Sequence, residues 1–261
     1  MGLSAELQQE IIWLDEHRDE FPYRGKSLGE KTAMLFVGGI GFGKSTVIKE
    51  MVTIDRFPEM DIAEVGTITT RRRKPSDPPQ YRTADEGMTH ESVIARIRQG
   101  EMTNWSWIPA TGDIYASDAE SFSSEITLVP TLPSSIATIK KAGLKTVHVV
   151  YIIPDTHDWY EKFKDQTANP SFLNRLKEAR DSIEYVMNST ENTNMLRAVN
   201  HHEPKDALHK LAEELLRICK LGTGSYSEYS LDASLREGFD GEATRMRSTI
   251  NQILDDAGMN T

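Results

Sequence analysis

Gly38, Gly43, Lys44 and Ser45 stand at the spacing G-x-x-x-x-G-K-[ST] within residues 38–46 (GGIGFGKST). An apolar segment, Thr32–Val37, leads into this run, and a helix-compatible segment from 44 to about 52 leaves it. Glycine is needed where backbone N–H groups must turn inward around an anion with no side chain in the way. The following helix adds unpaired N–H donors and the positive end of its dipole. The pattern therefore reads as a phosphate-binding loop between a buried strand and a helix. On this reading Gly38, Gly39, Gly41, Phe42, Gly43, Lys44, Ser45 and Thr46 cradle ATP. Lys44 bridges its β- and γ-phosphates, and the Ser45 hydroxyl ligates Mg2+.

The rest of the chain alternates strands with helices. Strands are expected at 62–68, 126–129, 145–153 and 195–199, the clearest being KTVHVVYII at 145–153, rich in β-branched residues. Helices are expected over 5–20 after a cap at Ser4, 90–99, 134–141, 171–188 and 204–220. This order predicts an α/β fold with a mostly parallel central sheet. Residues 222–230 (GTGSYSEYS) read as a linker, and 243–257 as a last helix that packs on the core or on a partner subunit.

Composition narrows the function. A formal net charge of −10 disfavours broad association with nucleic acid. Cys219 is the only cysteine, so neither an intramolecular disulfide nor a cysteine metal cluster can form, and a reducing compartment is expected. No apolar run approaches the ~20 residues of a membrane span, and no secretory leader pattern is seen, so a cytoplasmic setting is expected.

Residues 67–74 (TITTRRRK) place hydroxyls and four consecutive cations at the end of a strand, about one sheet position from the loop. In open α/β sheets ligands gather at the carboxyl ends of strands, which makes this block a candidate second anion site.

With these blocks in order, the chain resembles the guanylate kinase family of nucleoside monophosphate kinases over roughly residues 32–220. GGIGFGKST resembles that family's phosphate loop, and TITTRRRKP its acceptor-phosphate block. By this resemblance Thr67, Arg71, Lys74, Tyr81 and Tyr115 hold the acceptor's phosphate, with Arg72 or Arg73 as substitutes if the register slips. QGEMTNW at 99–105 and GDIYAS at 112–117 resemble base-binding segments, which makes Asn104 and Ser117 base contacts. Arg175 resembles a lid arginine that touches the transferred phosphate, and Asn200 a residue bordering the ATP base. The implied fold is a three-layer P-loop unit over 1–221, with an acceptor insert at about 66–118 and a lid at about 155–175. Residues 222–261 would then be a linker and a helical extension.

The departures from that family fall on the acceptor base. Asn104 stands where the family has a glutamate. A carboxylate accepts two N–H groups from guanine, whereas an amide offers one acceptor and one donor. Leu128, Val129 and Pro130 stand where an acidic pair is usual, and the lid reads Lys162-Phe163-Lys164 instead of being arginine-rich. The sequence therefore predicts ATP-dependent transfer to a small-molecule nucleotide, the base left open. A kinase of a phosphorylated sugar, and a catalytically silent nucleotide-binding module, are the alternatives.

Overall fold

The computed structural model describes residues 3–54, 58–109, 111–188, 195–201, 206–221 and 238–259. The described strands are β1 (Thr32–Val37), β2 (Ile62–Glu64), β3 (Ile68–Thr69), β4 (Met102–Ile108), β5 (Asp113–Asp118), β6 (Ile126–Thr131), β7 (Thr146–Pro154) and β8 (Met195–Asn200). The α-helices are α1 (Ala5–Glu16), α2 (Lys44–Thr53), α3 (His90–Arg98), α4 (Ile136–Lys140), α5 (Thr156–Phe163), α6 (Pro170–Asn188), α7 (Ala207–Leu221) and α8 (Phe239–Asp256).

Near-continuous apolar strands need cover on both faces, which a parallel sheet between helix layers supplies. The large sheet has the order β2-β6-β1-β7-β8, and every pairing in it is parallel. Ala33, Leu35 and Val37 of β1, with Val149, Tyr151 and Ile153 of β7, face a core closed by α6 and α8. The alternate residues Met34, Phe36, Val150 and Ile152 face a second core closed by α2 and α7. A separate antiparallel sheet, β3-β5-β4, packs Ile68, Trp105, Ile114 and Ala116 against α1 and α3 in a third core. The architecture is a three-layer α/β fold with a small antiparallel subdomain.

Several elements differ from the sequence expectation. The single strand expected at 62–68 is two, β2 in the large sheet and β3 in the small one. The chain crosses between them at Gly66, whose amide bonds Ser121 O at 3.0 Å. Because β6 lies between β2 and β1, the cationic block stands two strand positions from the phosphate loop and not one. Trp105 and Trp107, placed in no element by the sequence, lie on β4 of a hairpin, with Trp105 in the third core under the Arg18 guanidinium at 4.0 Å. The first helix stops at Glu16 and continues as a 3-10 turn, Arg18–Glu20, and Ser4 caps it by accepting from the Leu7 amide at 3.2 Å. The expected linker at 222–230 and the start of the helix expected at 204 lie outside the described residues. The last helix starts at Phe239 and packs into the core beside α6.

Candidate functional site

The phosphate loop connects β1 to α2 at the carboxyl edge of the large sheet. Gly43 is the N-cap of α2 at φ 87°, and no side chain caps the helix, which leaves its first-turn amides to face a ligand. A Cβ at Gly43 would also collide with the Asn200 amide, so Asn200, buried at the end of β8, is packed directly on the loop. Gly38 and Gly39 are buried, and their carbonyls accept from Lys44 Nζ at 2.6 and 2.9 Å. Phe42 anchors the loop in the core, while Ser45 and Thr46 are exposed on the first turn of α2.

Two helices close over this loop. Trp159 of α5 donates its indole N–H to Ile40 O at 3.0 Å, and Phe163 lies where a side chain at Gly41 would have to go. Phe42, Trp159, Phe163 and Phe172 form one aromatic cluster. On α6, Ala179 packs on Gly39, and Arg175 and Glu178 act electrostatically on Lys44. Burial draws the Lys44 ammonium down to about 8, reinforced by the Arg175 charge and opposed by Glu178. Burial raises the Glu178 carboxyl in turn, against the pull of Arg175 and Lys44. The segment expected to be a lysine-bearing lid holds α5, a 3-10 turn (Lys164–Gln166) and the start of α6, and the aromatic face of α5 covers the loop. Lys164 is paired with Glu161 at 2.6 Å.

β6 lies beside β1, with Thr131 level with Val37, one residue before the loop. β6 carries no acidic residue, as the sequence indicates, and Thr131 Oγ1 is buried without a hydrogen-bond partner. The glycine cradle, the uncapped helix, the exposed Ser45 hydroxyl on its first turn and the orphaned Thr131 hydroxyl fit a hydrated metal–triphosphate group. Among the described residues no cluster of three acidic, histidine or cysteine side chains offers a separate metal site.

The second group follows β2. Arg71 donates from Nε to Tyr115 Oη at 3.1 Å, and its guanidinium lies 5.9 Å from the Tyr81 and Tyr115 rings. The Tyr81 hydroxyl hydrogen-bonds Thr67, and burial raises its pKa. Four side chains proposed from the sequence, Thr67, Arg71, Tyr81 and Tyr115, therefore converge. Lys74 and Arg72 stay at the surface, while Arg73 is spent on the Tyr81 and Pro78 carbonyls and on Glu86. Asp77, not singled out in the sequence, grips the Arg71 fork with both oxygens at 2.6 and 2.7 Å, which holds its carboxyl down at about 2.

Cross-strand partners share a face of a sheet. Pairing of Thr69 with Tyr115, and of Asn104 with Ser117, therefore puts a polar face on the small sheet opposite its apolar one. Asn104 Oδ1 and Thr69 Oγ1 on that face are buried and have no hydrogen-bond partner. Ser117 is engaged by Thr103, whose hydroxyl lies 3.0 Å from its own. Glu64, at the end of β2, is a half-buried carboxyl raised by burial, with Lys49 of α2 opposing. The functional candidates missed in the sequence are Thr69, Asp77, Trp159, Glu64 and Glu178. Only Thr69 sat in a motif that could have flagged it.

No family model matches the chain, and no curated protein matches it significantly. Among solved structures it is similar to guanylate kinase from Anaplasma phagocytophilum, at 15% identity over 75% of this chain and 87% of that one, with a TM-score of 0.46. It is also similar to the hydrogenase maturation factor HypB from Archaeoglobus fulgidus, at 13% identity over 82% and 99% of the two chains (TM-score 0.31). A partition protein is similar at 11% identity over 95% and 74% (TM-score 0.29). These overlaps are too loose to carry a site or an activity across. The parallel sheet, its strand order and the glycine loop between β1 and α2 make the chain an α/β P-loop nucleotide-binding fold.

Proposed function

We propose that this chain is an ATP-dependent phosphotransferase whose acceptor is a nucleoside monophosphate. One observation carries the reading: besides the phosphate loop after β1, a second cationic group, Arg71 with Tyr81 and Tyr115, stands where the chain leaves β2 of the large sheet for the small one. Only β6 separates their strands, a spacing of about 10 Å. Anchors on neighbouring parts of the fold leave a donor and an acceptor phosphate to meet between them at the roughly 3 Å that in-line transfer needs, and positioning and charge neutralisation supply most of the catalysis. Lys44 and Arg175 neutralise the transferring group, and the loop amides with Asn200 orient ATP. Thr67, Arg71, Lys74, Tyr81 and Tyr115 hold the acceptor phosphate. Ser45 ligates Mg2+, which when bound screens the triphosphate charge.

The orphaned Asn104 Oδ1 and Thr69 Oγ1 favour a nucleotide over a phosphorylated sugar. Along the small sheet Asn104 lies one strand and two residues from Tyr115, roughly 8 Å, a span that carries a ligand anchored at Tyr115 past its pentose toward a base. The sugar-kinase reading draws on the acid-free β6 and on Ser117 being engaged by Thr103. Intact Lys44 and Ser45 oppose a silent module. The free, buried Cys219 accords with a cytoplasmic setting.

The test is ADP release from Mg-ATP with each ribo- and deoxyribonucleoside monophosphate and with ribose phosphates. Turnover is expected with a nucleoside monophosphate, and Asn104→Glu is expected to shift preference toward GMP. Turnover confined to ribose phosphates would replace this reading with the sugar-kinase one. ATP binding with no acceptor-stimulated turnover would sink both.

A further inference from the structure

We propose that Asp77 is an internal competitor for the acceptor's phosphate, seated on the Arg71 fork until a phosphorylated ligand displaces it. The inference rests on the reading of Arg71, Tyr81 and Tyr115 as the acceptor-phosphate group.

The hydrogen-bond accounting at Arg71 is nearly closed. A guanidinium has five N–H donors, and here Nε serves Tyr115, Nη1 serves both Arg72 O and Asp77, and Nη2 serves Asp77. One donor is left over. A bidentate grip on a phosphate needs two neighbouring donors, and the end-on pair of the fork, one from Nη1 and one from Nη2, is the one Asp77 holds. The two side chains are 13% and 6% exposed, so a second anion cannot settle beside the carboxylate without strong repulsion.

A carboxylate presents the same pair of oxygens to the fork as a phosphate does, which makes Asp77 a stand-in for the ligand's anion. Its remaining hydrogen bonds are local. Asp77 Oδ2 accepts from the Lys74 amide at 2.7 Å, and the Asp77 amide donates to Lys74 O at 3.0 Å. The carboxylate therefore belongs to a tight turn over residues 74–77 that contains Pro75 and is followed by Pro78 and Pro79, and Arg71 is its tie to the site. Exposed Arg72 and Lys74 beside the turn add charge that favours a dianionic phosphate over a monoanionic carboxylate. The opposite role, Asp77 bracing Arg71 in a productive pose, predicts the opposite sign of effect.

Calorimetric titration of the full chain with ribose 5-phosphate and with inorganic phosphate separates them, using wild type, Asp77→Asn, Arg71→Ala and the double variant. Asp77→Asn is expected to bind ribose 5-phosphate about tenfold more tightly, a change of roughly 1.4 kcal/mol. The double variant should lose that gain. Weaker or unchanged binding by Asp77→Asn overturns the proposal and makes Asp77 a brace. If Arg71→Ala leaves wild-type affinity intact, or no probe binds any variant, the underlying reading of the Arg71 group fails instead. ATP titration and thermal unfolding of each variant verify the fold. Should Asp77→Asn not fold, Asp77→Ser carries the same expectation.

Discussion

In the loop the Lys44 ammonium is buried, donates to two backbone carbonyls and feels the Arg175 charge, and burial above all decides how it responds to pH. With its pKa drawn down to about 8, against ~10.4 in an unfolded chain, the folded protein binds fewer protons between those values. Its contribution to stability therefore rises with pH across that window, the reverse of a lysine that gains a partner on folding. A triphosphate does the opposite of burial and favours the charged form. Binding of ATP at pH 8.5 is thus expected to take up a proton at Lys44, and binding at pH 6.5 none. Titration in buffers of different ionisation enthalpy measures this, and Lys44→Met should abolish it. Equal uptake in wild type and variant would show that another group titrates. The loop was legible in the sequence because its chemistry is contiguous. Asp77 and Glu178 were not, because each matters through a partner brought to it by the fold, Arg71 across a turn and Lys44 across the layers.

At the scale of elements, the largest surprise is α5. Family resemblance leads to a lid over about 155–175, with lysines where the family has arginines, and within it α5 lays Trp159 and Phe163 on the loop and is fixed at its start by Asp155, which accepts from the His157 and Asp158 amides. Trp159 and Phe163 stand four apart on one stripe, but eight residues are too few for that periodicity to declare a helix before the surface it covers is known. The same limit hid the break at Gly66, since both halves of 62–68 have strand character and only the sheets they join tell them apart. If α5 is a clamp, the indole hydrogen bond to Ile40 O should matter beyond packing. Trp159→Phe keeps most of the ring and removes that bond, so a loss of about 1 kcal/mol of stability is expected. ATP affinity should fall more than that stability change alone would require, because Ile40 sits inside the loop. Thermal melts with and without ATP measure both, and an unchanged ATP-induced shift in Tm would refute the clamp.

At the scale of the whole molecule, the sequence expected the last helix to pack on the core or on a partner subunit, and the fold makes α8 a wall of the core. Phe239, Ala243, Met246, Ile250 and Leu254 recur at three- or four-residue intervals and are all buried against α6, β7 and β8. Phe239 meets Tyr151 of β7 edge-to-face at 5.9 Å. Glu242, buried on the same helix, accepts from the Thr156 amide and hydroxyl at 3.1 and 2.7 Å, which ties α8 to the first turn of α5. A continuous line of contacts therefore runs from the C-terminal helix through α5 to the phosphate loop. Each large apolar side chain buried on α8 contributes about 1.5–3 kcal/mol, and together they rival the roughly 5–15 kcal/mol by which a domain is stable at all. A chain ended at residue 237 is thus expected to lose its cooperative thermal transition and expose apolar surface, measured by circular dichroism melts and dye binding. Glu242→Gln is the milder probe of the same line. It should leave the fold in place, lower Tm by a few degrees, and weaken ATP binding through α5. A truncated chain that still melts cooperatively within about 5 °C of the full one would mean that α8 is an accessory to the core after all.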